Sequence, residues 1–440
     1  MTANRRRRSA PDARSTSDRE LRLWRVGRAL TVAFVAAVVV AGGVFFGLVA
    51  LLGFREIEST TKLDAKTLFD LVKLSFGVVA GAGALVALVV AYRRQRVDEA
   101  GAHREATRLH TERFSQAVEQ LGSDSPAVRL GGVHALAGLA DDAPTQDLRQ
   151  TCIDVLCAYL RLPSPAKPGD LPDGTSPTDE RREAHQDKTD RYHALREVRH
   201  TIFRMIGDHY RVPKGGHRSW QGCDLDLTGV TIDSSLNFSR ATFSGSIVSF
   251  SRATFSGGIV YFGGATFGDG VVSFGGATFS GGEVSFGKAT FAGGEVSFGG
   301  ATFSGGEVSF GGATFSGGIV YFGGATFDGG TVYFGGASFS GSTMYFNDAT
   351  LSSGAVGFVD ATFSSGRVDF ANATFSGSRV DFHSAAFSDG TVHFVDVTFA
   401  DSTVDFTNAT GPAPSGLLTP TGPPASTTVI LPSAWLPSPS

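Results

Sequence analysis

Acidic and histidine side chains recur at a fixed interval near the end of the chain, and their types could support chemistry. Asp369, Asp381, His393 and Asp405 follow one another every twelve residues. Such carboxylates could cleave a polysaccharide by acid–base chemistry or bind calcium. The interval spaces them along the molecule instead of around one cleft, and no basic residue among them is placed to abstract a proton. We interpret them as a solvated polar face with no catalytic residue, cofactor or metal.

The cysteines and helical histidines also lack a metal-binding pattern. Cys152 and Cys157 are five residues apart, a poor spacing for zinc ligands, and Cys223 is the third and last cysteine. His200 and His209 lie on one predicted helix without a second ligand pattern. We predict buried thiols, surface or interface histidines, and a reducing compartment without a disulfide framework.

A twelve-residue repeat runs through the C-terminal half and must position the acidic side chains. Ala-Thr-Phe recurs from Ala241 to Ala409 with small variations, and Val-x-Phe, as in Val248 to Phe250, lies halfway between. These two grids hold 27 of the 36 Phe residues. Both triplets alternate apolar and polar residues, the period of a strand with one buried face. Gly-rich segments between them supply tight corners, so each unit is two short strands and two turns.

The inward positions of the first regular units predict a core ladder. No unit buries its Phe alone, but coils stacked ~4.8 Å apart bring identical side chains into contact. The predicted ladder consists of Phe243, Val248, Phe250, Ala253, Phe255, Phe262, Phe267 and Phe274.

The length of one coil stays open between twelve and twenty-four residues. Twenty-four would give four faces and a rod of roughly 34 Å, whereas twelve would give a flat two-sided coil and roughly 70 Å. Glu283, Glu295 and Glu307 favour twenty-four, because at twelve they would stack in one column of like charges.

The segments that precede the regular repeat follow one another at five or six residues: Leu225–Leu227, Val230–Ile232, Leu236–Phe238 and Ala241–Phe243. A small or aliphatic residue two positions before a central Leu or Phe resembles the pentapeptide-repeat family. The resemblance covers about residues 225–408, although the spacing there alternates between five and seven. It implies a right-handed quadrilateral β-helix with four faces per coil, and it brings no catalytic residues.

Two uncharged apolar stretches near the N-terminus predict a transmembrane hairpin. Residues 29–54 and 74–92 include no acidic or basic side chain. Each stretch is long enough to cross the ~30 Å hydrocarbon layer as a helix. Arginines before the first and after the second predict cytoplasmic N- and C-termini of a multi-pass protein in the plasma (inner) membrane.

Small-residue motifs in these stretches predict close helix approach. Gly43-x-x-x-Gly47 and Gly77-x-x-x-Gly81 could support a homo-oligomer. The double anchor, with residues 114–162 after it, resembles the front half of actinobacterial pentapeptide-repeat membrane proteins.

The predicted fold class is therefore a two-helix transmembrane hairpin, a small all-α helical module and a right-handed β-helix (β-solenoid). The predicted boundaries are 1–28 for a basic disordered N-terminus, 29–92 for the hairpin, 93–162 for a helical stalk and module, 163–190 for a linker, 191–212 for a helix, 223–409 for the solenoid and 410–440 for a disordered Pro/Ser/Thr-rich tail.

This organisation predicts a non-enzymatic, membrane-anchored scaffold for protein–protein interaction, in contact with the lipid bilayer. Tyr321, Tyr333 and Tyr345 form a partial aromatic rank that could receive an unknown protein partner. One alternative is a DNA-mimic that protects or inhibits a DNA-handling enzyme. However, 14 acidic against 5 basic residues from Asp233 to Asp405 are far fewer charges than a duplex carries, ~1 per 1.7 Å. The second alternative is a carbohydrate-active β-helix, and no nucleic-acid partner is expected.

Overall fold

Parallel strands wound into stacked coils form the main body of the structure. It is a computed structural model that describes residues 31–32, 34–36, 38–39, 42–43, 65–163, 167–169, 179–416 and 428–435. In the regular coils each strand pairs in parallel with the strand two repeats further along the chain, as Val248 does with Val272. The result is a right-handed type of β-solenoid with about eight turns.

The pairing confirms the coil of two repeats, twenty-four positions long, that the glutamates favoured. Glu283 pairs directly with Glu307, whereas Glu295 lies in another sheet between Val271 and Ile319. Two glutamates instead of three therefore share a column, which reduces the repulsion between like charges.

Each coil contributes one short strand to each of four faces, which we number in chain order. Face 1 contains β1 (Leu225–Asp226), β5 (Ile247–Ser249), β9 (Val271–Ser273), β13 (Glu295–Ser297), β17 (Ile319–Tyr321), the ends of β20 (Ser338–Tyr345) and β23 (Thr362–Asp369), and β27 (Thr391–His393). Face 2 contains β2 (Thr231–Ile232), β6 (Thr254–Phe255), β10 (Thr278–Phe279), β14 (Thr302–Phe303), β18 (Thr326–Asp328), β21 (Thr350–Ser352), β24 (Thr374–Ser376) and β28 (Thr398–Ala400).

Face 3 contains β3 (Leu236–Asn237), β7 (Ile259–Tyr261), β11 (Glu283–Ser285), β15 (Glu307–Ser309), β19 (Thr331–Tyr333), β22 (Ala355–Gly357), β25 (Arg379–Asp381), β29 (Thr403–Asp405) and β30 (Thr428–Ile430). Face 4 contains β4 (Thr242–Phe243), β8 (Thr266–Phe267), β12 (Thr290–Phe291), β16 (Thr314–Phe315), the starts of β20 and β23, and β26 (Ala386–Phe387). Faces 1 and 3 lie on opposite sides of the coil.

Columns of phenylalanine fill the interior. Phe274, Phe298 and Phe322 stack with ring centroids 4.8 and 4.7 Å apart and planes within 4° of parallel. Rings of neighbouring columns meet edge to face, as Phe274 and Phe286 do at 5.9 Å and 88°. Both arrangements suit the aromatic quadrupole and add to the burial of apolar area. All eight residues of the predicted core ladder are at most 2% exposed.

The corners that follow the face 1 and face 3 strands use one repeated turn. Its third residue has a positive φ, whether it is glycine, as in Gly312 (65°), or another type, as in Lys288 (59°) and Asp360 (56°). The next N–H closes the turn, as when Ala313 donates to the carbonyl of Phe310 at 2.9 Å. This is the geometry of a type II turn, which glycine favours and asparagine or aspartate tolerates.

Helices precede the solenoid: α1 (Ala65–Leu121), α2 (Pro126–Asp141), α3 (Gln146–Arg161) and α4 (Asp179–Arg211). Helices α3 and α4 contact strands of the first coil, and we call the described residues from 107 to 223 the helical cap. Helix α4 begins before the predicted residue 191 and lies against the solenoid. A Cβ at Gly207 would lie 2.7 Å from the carbonyl oxygen of Asn237, so only glycine permits this approach. The Tyr210 ring continues the core, 5.0 Å from Phe243.

The described residues beyond the last coil, 410–416 and 428–435, include regular structure, whereas disorder was predicted for residues 410–440. Strand β30 pairs with β29, and a 3-10 turn follows at Ser433–Trp435. The Trp435 ring lies 5.4 Å from Phe406, and its indole N–H donates to the carbonyl of Gly411 at 2.7 Å. An apolar residue in a Pro-rich tail thus covers the last aromatic rings of the core.

The chain divides into two compact units, Met1–Ala106 and Thr107–Ser440. Within the described ranges, no helix has both the length and the apolar character needed to cross a bilayer. The predicted transmembrane hairpin is therefore not found there. Most of residues 29–54, including Gly47, and all of residues 1–28 lie outside the described residues, whereas residues 74–92 belong to α1.

Candidate interaction surface

The central outward residue on faces 1 and 3 supports the corner that follows it. Its side chain accepts a hydrogen bond from the backbone N–H two residues later. Ser297 and Ser309 accept from Gly299 and Gly311 at 3.4 Å, and Asn237 accepts from Ser239 at 2.9 Å. Each bond satisfies a backbone donor at the corner, as short polar side chains commonly do in turns.

The predicted polar face is built from the same position. Asp369 accepts from the N–H of Ala371 at 3.1 Å and pairs with Arg367 at 2.5 Å. Asp369 and His393 lie on face 1, and Ser415 lies 2.7 Å from His393 Nδ1. Asp369 therefore supports a corner and balances the charge of a neighbouring arginine.

On the opposite face, Arg379 bridges two coils. It lies 2.8 Å from Asp381 and 3.2 Å from Asp405. Burial alone would raise the pKa of Asp405, but hydrogen bonds from Thr407 and the charge of Arg379 leave it below the usual value. The acidic residues are thus divided between two faces and engaged in corners and ion pairs.

Tyrosine takes the place of the supporting side chain at four positions: Tyr261, Tyr321, Tyr333 and Tyr345. A phenol ring has no acceptor close to its backbone, so it cannot receive the corner N–H as serine or aspartate does. The corners that follow these four tyrosines therefore lack the side-chain hydrogen bond that supports other corners.

The predicted rank of three tyrosines is split between two faces. Tyr321 and Tyr345 are direct partners on face 1, with ring centroids 6.1 Å apart and planes inclined by 59°. Tyr333 lies on face 3, as does Tyr261. The three tyrosines therefore do not stand in a single rank, because positions one repeat apart lie on opposite sides of a coil that contains two repeats.

The Tyr321 ring lies flat on glycine. A Cβ at Gly299 would lie 2.9 Å from its Cε1, and one at Gly323 would lie 2.2 Å from its Cζ. Tyr333 is held in the same way above Gly335, where a Cβ would lie 1.9 Å from its hydroxyl. Absent side chains at these corners let each ring lie along the surface.

A shallow groove of about 430 Å³ follows the tyrosine pair on face 1. We call it the tyrosine groove; it is lined by Glu295, Ile319, Tyr321, Tyr345, Asn347 and Asp369. Ile319 is 43% exposed, a large apolar side chain open to solvent beside the rings. Sequence reasoning missed Glu295, Ile319 and Asn347 as members, and aligning the chain in steps of two repeats would have placed them beside the tyrosines.

The cysteines and histidines lie mainly in the helical cap. Burial raises the pKa of Cys157 to about 12 and that of Cys152 to about 11. His209 is 2% exposed and stacks on Trp220 with ring centroids 4.1 Å apart. These positions make the thiols unreactive at neutral pH and place His209 in an interior interface.

The coil geometry defines a parallel β-solenoid repeat protein. The family model described as pentapeptide repeats (9 copies) matches residues 227–271 and 269–314, so this part of the chain carries pentapeptide repeats. The later coils keep the same register and corners up to Phe406, apart from an irregularity where β20 pairs with β23. No curated protein and no solved structure matches the chain.

Proposed function

We propose that the protein is a non-catalytic scaffold whose solenoid holds the tyrosine groove out to a protein partner. One observation carries the proposal: Tyr321 and Tyr345 stand where the fold uses a corner-supporting serine or aspartate in neighbouring coils. Both rings are half-buried at the surface, and a residue that gives up a local hydrogen bond to place an aromatic ring there is better explained by binding than by folding.

The physical properties of the groove support this role. Two rings on adjacent paired strands are fixed by a rigid sheet, so little side-chain entropy is lost when a partner covers them. Tyrosine is enriched in protein interfaces because one end of its ring is apolar and the other forms hydrogen bonds. Ile319 extends the apolar part of the surface, and Glu295 gives it a polar edge.

Photo-crosslinking in living cells tests the proposal. Ser297 and Ser309 have the same repeat position on opposite faces, so a photoreactive phenylalanine can replace either one. We expect a discrete crosslinked protein from position 297, lost when Tyr321→Ser and Tyr345→Ser are combined. The proposal fails if position 297 gives no product, or if position 309 gives the same product in equal yield.

We also propose that residues 29–54 and 74–92 anchor the chain in the plasma membrane, with the solenoid in the cytoplasm. The support is the lack of charge in both stretches and the arginines that flank them. Alkaline carbonate should leave the protein in the membrane fraction. A cysteine introduced at Ser297 should resist a membrane-impermeant thiol reagent in intact cells, and labelling there would overturn the topology.

A further inference from the structure

The tyrosine groove presents acceptors and ring faces. Glu295 is exposed, and none of the hydrogen bonds or ion pairs found among the described residues engages its carboxylate. Asn347 donates to Asp348 through Nδ2 at 3.1 Å, while its Oδ1 is buried without a partner. An unpaired buried carbonyl oxygen is destabilising, so a side-chain rotation that brings this oxygen to a ligand's donor would be favourable.

The aromatic rings of the groove also favour a positively charged ligand. The face of a tyrosine ring carries the negative part of its quadrupole, and Tyr321 lies flat on Gly299 and Gly323. The ligand that fits must offer donors without acceptors, carry positive charge and stack on a ring. A guanidinium meets all three conditions, because it is planar, has five N–H donors and no acceptor.

We propose that the tyrosine groove binds the guanidinium of an arginine in an extended segment of the partner. This inference rests on the proposed function of the groove and adds the chemistry of the partner. The guanidinium stacks on Tyr321 and pairs with Glu295, which stands one coil before it, and Asn347 Oδ1, two coils from Glu295, is left for another donor of the same segment. The acidic excess of the solenoid, 14 against 5 residues from Asp233 to Asp405, favours a cationic segment over a neutral or anionic one.

The neighbouring coil already contains a pair of this kind. Arg367 lies one coil beyond Tyr345 on face 1, and its guanidinium pairs with Asp369. That contact occupies one oxygen of Asp369, and the N–H of Ala371 occupies the other. The acceptors that remain for a partner are therefore Glu295 and Asn347.

Face 3 provides a matched half of the site. Glu307 stands one coil before Tyr333, as Glu295 does before Tyr321. The next coil on face 3 has Gly357 where face 1 has Tyr345, and Val359 where face 1 has Asn347. One ring and one carboxylate are thus present on face 3 without the second ring and the amide.

Peptide binding to the detergent-solubilised full chain tests the inference. The probe is a fluorescent Gly-Arg-Gly-Arg-Gly peptide, followed by anisotropy at low and physiological salt. A version with citrulline in place of arginine removes the charge. A version with lysine keeps the charge and removes the planar guanidinium. We expect the arginine peptide to bind about tenfold more tightly than either.

The variants replace tyrosine by the serine of the repeat, so the fold gains a corner hydrogen bond. Combined Tyr321→Ser and Tyr345→Ser, or Glu295→Gln, should weaken the arginine peptide by about tenfold with unchanged thermal unfolding. Tyr333→Ser should change binding by less than about twofold.

Equal binding of the citrulline or lysine peptide, equal loss in Tyr333→Ser, or no binding of the arginine peptide would overturn the inference. Crosslinking from position 297 is independent of this assay. If a partner is crosslinked but the arginine peptide does not bind, the proposed function stands and only the inference of guanidinium binding is rejected.

Discussion

The solenoid and its helical cap stabilise themselves in different ways. In the solenoid one contact is repeated: a phenylalanine stacks on its equivalent in the next coil, at 4.7 Å for Phe279 and Phe303. In the helical cap, one carboxylate binds side chains from parts of the sequence that lie far apart. Asp141 accepts from the indole of Trp220 at 3.0 Å and lies 3.2 Å from His209 and Arg218.

Because of this difference, a mutation is expected to destabilise each region in its own way. A repeated apolar contact is coupled only to its neighbours above and below, so damage to one coil separates the coils on either side. A shared and largely buried carboxylate is coupled to every donor it satisfies, so its loss leaves several polar groups unpaired at once.

The largest expected effect comes from opening a hole in the middle of the solenoid. Phe298 is fully buried between Phe274 and Phe322, and Phe298→Ala should lower the free energy of unfolding by about 3–5 kcal/mol. Urea unfolding of the full chain followed by circular dichroism measures it. The adjacent Ser297→Ala loses one outward hydrogen bond and should cost about 1 kcal/mol or less. Equal losses would contradict a core held by ring stacking.

A smaller loss is expected from the cap. Asp141→Ala leaves the Trp220 indole and the His209 ring without their acceptor and should cost about 1–3 kcal/mol. Asp142→Ala is the matched control, because its pair with His217 is largely exposed, 69% and 73% for the two side chains. Hydrogen exchange should show the loss of protection in α2 and α4. Loss spread evenly through the solenoid would contradict a local role.

Alkaline pH should distinguish the two regions, because every cysteine lies in the cap or at its edge. The pKa of Cys157 is raised to about 12 from 9.0, and that of Cys152 to about 11. The folded state keeps these protons longer than the unfolded state, so stability is unaffected below pH 9 and falls as pH rises toward 12.

Two measurements check this pH dependence. Iodoacetamide should alkylate the folded protein slowly at pH 8 and the unfolded protein quickly. Cys157→Val, which keeps an apolar side chain without the thiol, should reduce the alkaline loss of helical circular dichroism. Fast alkylation of the native chain would refute the buried thiols.

The sequence predicted the solenoid better than the cap, for a physical reason. A residue type repeated every twelve positions specifies strand, corner and core together, which is why the ladder from Phe243 to Phe274 could be named. Asp141 meets His209 and Trp220 across 68 and 79 residues, and no period marks those contacts.

The candidate site shows the same limit. The tyrosines were visible as outward aromatic residues, but which of them are neighbours depends on the length of the coil. Glu283 and Glu307 indicated a coil of two repeats, and applying that length would have separated Tyr333 from Tyr321. Glu295 and Asn347 stood out only when the pairing of the strands was known.

The smallest expected effects are stability changes of opposite sign at two adjacent glycines in one corner. Gly312 has a φ of 65°, so Gly312→Ala places a Cβ in the left-handed region and should cost about 1 kcal/mol, although the site has room. At Gly311 the backbone is ordinary and a Cβ would meet no atom closer than 3.6 Å. Gly311→Ala should therefore stabilise by about 0.4–1 kcal/mol through the unfolded state.

The next corners along the same edge support these opposite signs. Two coils further on, Val359 occupies the position of Gly311 and Asp360 that of Gly312. Both positions therefore accept a side chain, but only the second one has a positive φ, 56° at Asp360. Parallel urea unfolding of the two variants gives the difference in sign. If both alanines destabilise equally, the corner is limited by contacts instead of by φ, and the repeated turn described here does not set its stability.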